Sequence, residues 1–202
     1  MKALRKLFGP SHQEIWRQLS GELGARYVGS FWTGGRIDAE HGEWIVTLDH
    51  VTVMAGKVPV TFTRFRAPFV NPDAFRFTVY RRNLASDVAK WFGMRDVEVG
   101  HAAFDHDFIV KGTDERGLKR LFDDAKLRKL LMGLKDVRLV VEDDEGWFGR
   151  KYPPKTDLLT CKLGGLVKDK QRLKDVFQLF GATLDRLCQI GSAYEDAPGV
   201  RL

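Results

Sequence analysis

Residues 25–82 alternate apolar and polar side chains with a period near two, and the breaks fall at turn-forming residues: Gly34-Gly35, His41-Gly42, Ala55-Gly56 and Pro68 through Asn71-Pro72. Glycine, proline and asparagine supply the positive φ angles and fixed bends that end a strand. The intervening segments predict strands over 26–32, 36–40, 43–54, 58–66 and 75–82. Links this short leave no room for a crossover helix, so consecutive strands must run antiparallel, as a meander. No other feature of the chain restricts its fold so strongly.

Helical spacing flanks this block. Ser11-His12-Gln13-Glu14 spells a capping box, in which the serine hydroxyl and the glutamate carboxylate satisfy orphan amides. The helix it opens carries Ile15, Trp16, Leu19 and Leu23 on one face and ends near Gly24. Ahead of it, residues 1–8 set Met1, Leu4, Leu7 and Phe8 against Lys2, Arg5 and Lys6. That pattern suits a helix docked on the core or a peripheral contact with an anionic membrane. Beyond the strands, residues 84–92 predict a short helix closed by Gly93. Helices over 114–122 and 124–134 each begin with acidic side chains, which the helix dipole favours. Strands follow at 137–142 and 157–163, separated by a loop over 143–155, and residues 168–190 form a long helix with an apolar stripe from Leu173 to Leu187. The predicted class is α+β: one domain over 1–202, an antiparallel sheet mainly from 25–82 with later strands added, and helices packed on it. Residues 1–24 read as a helical extension of that domain.

The 202 residues hold 33 Lys and Arg against 27 Asp and Glu, for a net charge of +6. Residues 1–110 carry 14 basic and 12 acidic side chains and residues 111–202 carry 19 and 15, so the excess is spread and marks no basic tail. Anionic partners stay open on charge alone. Cys161 and Cys188 lack CxxC spacing and a nearby histidine, and read as buried free thiols in a reducing compartment. No apolar h-region follows residues 1–8 and no uncharged apolar run reaches transmembrane length, so the expected location is the cytoplasm.

Three sets of residues are candidate sites. The first lies in the densest ionisable stretch, Gly93 to Asp114, where the sheet-rich half gives way to the helix-rich half. His101, Asp105 and Asp107, with His106 between them, are residue types that ligate zinc or iron. His101 and Asp105 would meet only on a helix, and the Gly100–Phe104 segment reads as a turn between strands over 96–99 and 107–111. A solvated turn accounts for the same residues. Second, Asp96 and Glu98 fall on one strand face, an arrangement that divides acid and base roles where the two environments differ. A strand with valines in and acids out accounts for them equally. Third, Arg64, Arg66, Arg76, Tyr80 and Arg82 would line one basic, aromatic sheet face if 58–66 and 75–82 are neighbours, which suits a single-stranded nucleic acid or another polyanion. A face solvated by arginine stems is the alternative. The run Glu142 to Gly146 lacks the alternating spacing of a calcium loop. The chain contains no G-x-S-x-G, HExxH, GxxxxGK[ST] or GxGxxG.

Several segments together resemble an uncharacterised family of bacterial proteins, a domain of unknown function of similar length. They are Thr63-Arg64-Phe65-Arg66-Ala67-Pro68-Phe69, Phe75 through Arg81, Phe92 through Gly100, Phe104-Asp105 with Phe108 through Gly112, and Gly191 through Asp196. The resemblance runs from about Tyr27 to Asp196, with Arg95-Asp96 where that family carries Gln-Asp. It implies a discrete bacterial domain and transfers no catalytic residue. Three functions follow as expectations. The leading one is a non-enzymatic binding domain for a protein, a lipid surface or a small ligand, with no cofactor. The others are polyanion binding through the arginine face and a metal-dependent hydrolase centred on residues 96–107.

Overall fold

The computed structural model describes residues 9–29, 34–87, 96–143, 152–194, 196, 198–200 and 202, with side chains at all of these but 85–87. Helix α1 (His12–Leu23) opens as its capping box requires. Ser11 Oγ accepts from the Glu14 N–H at 3.2 Å, and the Glu14 carboxylate accepts from the Ser11 N–H at 3.0 Å. Gly24, in the left-handed region at φ 62°, closes it. The strands are β1 (Arg26–Val28), β2 (Arg36–His41), β3 (Trp44–Ala55), β4 (Val58–Val70), β5 (Phe77–Arg81), β6 (Phe108–Gly112), β7 (Arg138–Glu142) and β8 (Thr156–Gly164). All eight join one antiparallel sheet in the order β1-β2-β3-β4-β8-β7-β5-β6. The predicted amphipathic segment 1–8 and the end of the predicted strand over 26–32 lie outside the described residues.

The meander holds from β1 to β4, but the expected neighbourhood of β4 and β5 is corrected: β8 and β7 lie between them. Six residues, 71–76, link the two strands. Fully extended they reach about 20 Å, more than the roughly 14 Å of three strand spacings, so a short link steps over two strands without a helix. Asn71 fixes the link. Its amide donates to the Phe75 carbonyl and to Asp157 while its side-chain oxygen accepts from the Phe75 N–H.

Four further helices follow: α2 (Ala102–Asp107), α3 (Glu115–Phe122), α4 (Ala125–Gly133) and α5 (Lys170–Gln189). Asp114, Asp124 and Asp169 cap the last three through their carboxylates. The predicted strand over 96–99 reduces to a single bridge, Asp96 to Lys111. The predicted helix over 84–92 begins as a 3-10 turn, Arg82–Asp87, and residues 88–92 lie outside the described set.

The helices share one core with one face of the sheet. Phe65 of β4 meets Phe177 and Phe180 of α5 at 5.0 and 5.8 Å between ring centroids, and Phe122 of α3 meets Phe77 and Phe104 at 6.0 and 5.4 Å. Trp16 of α1 is fully buried and donates its indole N–H to the Val167 carbonyl at 3.0 Å. The long C-terminal helix thus lies across the sheet as its apolar stripe demands, burying Leu173, Val176, Phe180, Leu184 and Leu187. No described helix is long and apolar enough to cross a membrane.

Candidate interaction surface

Strands β3 and β4 are far longer than the strands beside them. β2 pairs with β3 only through Trp44–Leu48, and β8 pairs with β4 only from Thr63 onward. Beyond those limits β3 and β4 pair with each other alone among the named strands, Val51 to Phe62 through Ala55 to Val58. They form a two-stranded ribbon that projects about 14 Å past the neighbouring strands, with Gly165 reaching alongside its β4 edge to bond Thr61 and Thr63 and to bridge Phe62. A two-residue turn, Gly56-Lys57, closes it, with Gly56 at φ 64°. Glycine first and an ordinary residue second is what the type II′ hairpin turn requires.

Parity decides what this ribbon presents. In the body of the sheet Trp44, Val46 and Leu48 of β3 and Phe65, Ala67 and Phe69 of β4 face the helices and are buried. Along the ribbon the apolar residues occupy the opposite parity: Val51, Val53 and Ala55 pair with Phe62, Val60 and Val58. Cross-strand partners share a face, so these six side chains form an apolar stripe on the side of the sheet away from the helices. Val53 is 43% exposed, Val58 62%, and Met54, on the other side of the tip, 64%. Residues 50–63 contain no Asp or Glu and one Lys. Pro59 pairs with Met54 at a position whose missing N–H points away from β3, which blunts that edge against further strands.

At the base of the stripe, on the same face, lie the first of the predicted polyanion-binding residues. Asp49 accepts from Arg64 Nε and Nη2 at 2.8 Å each and from Arg66 Nη2 at 2.6 Å. Next to it Asp38 is 7% exposed and takes Arg26, Arg36 and the Thr47 hydroxyl. Arg76 lies three strands away, donating to Asp157 and Asp143, which together outweigh the burial that disfavours its charge and raise its pKa. Tyr80 is 2% exposed, and burial pushes its pKa up. Arg82 donates to the carbonyls of Asp105 and His106. These five residues are therefore not gathered on neighbouring strands, and each guanidinium is held by protein oxygens.

The residues predicted as metal ligands are also placed by other partners. The Asp105 carboxylate accepts from the backbone N–H groups of Val99, Gly100 and His101 at 2.9 to 3.0 Å. It thereby ties the loop ahead of α2 to the helix, and the Gly100–Phe104 segment expected as a turn is corrected to a loop running into that helix. His101 turns its Nε2 to Arg128 at 2.9 Å and Asp123 at 3.5 Å. Asp107 bonds the His106 ring at 2.9 Å, which with Arg81 lowers its pKa. Among the described residues no group of three or more His, Cys, Asp and Glu is placed to hold a metal ion. Asp96 pairs with Lys111 at 3.0 Å, and both Asp96 and Glu98 are exposed, so the two acids share no buried site.

Sequence reasoning missed two further features. His12 and His50 stand 5.8 Å apart between ring centroids, each against Trp16. Burial lowers the His12 pKa, and the neighbouring His50 adds to it. Gly34, at φ 79°, sits so close to His50 that a Cβ there would lie 2.1 Å from the ring. Elsewhere, a cleft of about 520 Å3 under α5 is lined by Leu23, Val46, Phe177 and Lys126, with His41 Nε2 2.7 Å from Asp185 at its wall. No family model, curated protein or solved structure matches the chain.

Proposed function

We propose that this protein is a binding domain that engages its partner through the apolar face of the β3–β4 ribbon. The observation that carries the reading is the inverted parity of Val51, Val53, Val58, Val60 and Phe62, which aims apolar side chains away from the hydrophobic core that the helices share with the sheet. Contiguous exposed apolar patches on a folded domain mark interaction sites. The sheet body anchors the ribbon rigidly, because thirteen-residue β4 is paired on both sides over its inner half. A photo-crosslinking residue at Val58, compared with one at exposed Lys129 on α4, tests this in cells. The expected result is adducts from position 58 and none from 129. A bare position 58 in cells where the protein is abundant overturns the reading.

A second reading, small-ligand binding, rests on the cleft under α5, whose size and mix of apolar wall and polar pair suit a small molecule. A ligand-dependent rise in melting temperature that His41→Ala abolishes would support it.

A further inference from the structure

Apart from the ribbon, the contact between α1 and β3 holds a pair of histidines with unused nitrogens. His50 keeps the parity of Trp44, Val46 and Leu48, so it turns toward the helices, where it meets His12 and Trp16 of α1. Two buried ring nitrogens in this cluster, His12 Nε2 and His50 Nδ1, have no hydrogen-bond partner among the described residues. Buried polar atoms in folded proteins are nearly always paired, and two orphans in one cluster call for a physical reason. We propose that these two nitrogens together hold one divalent transition-metal ion of the zinc class.

The spacing fits. Imidazole nitrogens bind zinc at about 2.0–2.1 Å, which places the ion about 3.2 Å from each ring centre. Two imidazoles on one ion then have centres about 5.2 Å apart at a tetrahedral angle and about 6.4 Å apart when directly opposed. The observed separation is 5.8 Å, inside that window. The tautomer fits as well. The Gly34 backbone hydrogen-bonds the His12 ring. With Nε2 unpartnered, that bond belongs to Nδ1–H, and Nε2 carries the lone pair. A ligating histidine commonly donates its other N–H to a backbone carbonyl in this way. Burial and the neighbouring His50 disfavour the protonated form of His12, and a metal requires the neutral one.

The frame around the pair is fixed. The capping box sets the first turn of α1, where His12 lies, and Gly34 closes on His50 so that a Cβ there would stand 2.1 Å from its Cε1. Among the described residues no third His, Cys, Asp or Glu joins the two, and exposed Lys168 opposes a cation at His12. The remaining coordination positions therefore fall to water. Such an ion exchanges with solvent and bridges α1 to β3, unlike one sealed in a four-ligand structural site.

The test uses the full chain, purified without a metal-affinity step and treated with EDTA, with zinc(II) chloride as the probe and magnesium, which prefers oxygen ligands, as the control. Isothermal titration calorimetry counts the sites, and NMR of the imidazole nitrogens reports which atoms bind without relying on any variant. The expected result is one zinc per chain, no such binding of magnesium, and zinc-induced shifts at His12 Nε2 and His50 Nδ1. His12→Ala and His50→Ala, each checked for fold by circular dichroism, should weaken the affinity at least about tenfold, the least that loss of even an outer-shell partner costs. Absence of saturable one-to-one binding overturns the proposal. Shifts confined to one of the two rings, or to His41, His101 or His106, overturn it too, as does binding that Cys188→Ser removes and the histidine variants retain. None of these outcomes bears on the ribbon, so the two readings stand or fall separately.

Discussion

Replacing Asp49 by alanine tests whether the arginines of the outer sheet face are structural. Asp49 receives three charge-assisted hydrogen bonds from Arg64 and Arg66 between 2.6 and 2.8 Å. The side chains are 16%, 17% and 9% exposed, so the cluster is shielded yet not dry. Removing one partner of a fully buried pair costs about 3–5 kcal/mol because the opposing charge stays behind. With this residual solvent the lower end applies, and Asp49→Ala is expected to lose about 3 kcal/mol in urea unfolding. In a chain of this length that corresponds to a fall in Tm of roughly 6–12 °C. Asp49→Asn keeps an acceptor but not the charge, and is expected to fall between the variant and the native chain. The assay is equilibrium unfolding followed by tryptophan fluorescence, with the denaturant slope checked for constancy. A loss below about 0.5 kcal/mol, the scale of an unimportant surface change, would show that the cluster is not structural. It would return Arg64 and Arg66 to the pool of groups available for an anionic ligand.

Three other consequences are open to measurement. His12 is held below its ordinary value of 6.5 by burial and by His50. The unfolded chain therefore takes the proton first, so this contribution is complete above that pH and fades as the pH falls through and below it. Unfolding free energies from about pH 8 to pH 5 should decline, and His12→Phe should flatten the decline; a slope unchanged by that variant would contradict the assignment. Gly34→Ala combines an unfavourable φ with a Cβ driven into the His50 ring, for an expected loss of at least about 2 kcal/mol. Adding His50→Ala should recover the steric part only. Burial pushes the Cys161 thiol up to about 12, so a thiol reagent should modify Cys188 in the native protein and Cys161 only on unfolding.

What could be read from the chain follows from how local each signal is. Turn glycines, capping carboxylates and the α5 stripe act within a few residues, and the corresponding elements stand where the sequence places them. Strand order is non-local: nothing within residues 58–82 records that β8 and β7, more than fifty residues later, enter between β4 and β5. The arginine set is split for the same reason, and Asp49 meets Arg64 only through the β3–β4 register. Helix α2 has six residues and no side-chain cap, and its anchor is Asp105 reaching back to the loop, a contact that residue type does not announce. The hairpin of the ribbon is marked by the Ala55-Gly56 turn, but its change of face went unread although its signal is local. Apolar parity switches between Leu48 and Val51 on β3 and again between Phe62 and Phe65 on β4, and two matching switches in paired strands mark a change of face.

A stripe that serves a partner and not the core adds little to the stability of the free protein. The most direct measurement is the unfolding free energy of Val53→Thr/Val58→Thr, a change that keeps β-branched side chains and strand propensity. The expected loss is no more than about 1 kcal/mol, because both positions face solvent. A loss of about 3 kcal/mol or more, the scale of disrupted core packing, would show that these valines are packed in the folded protein and would contradict it.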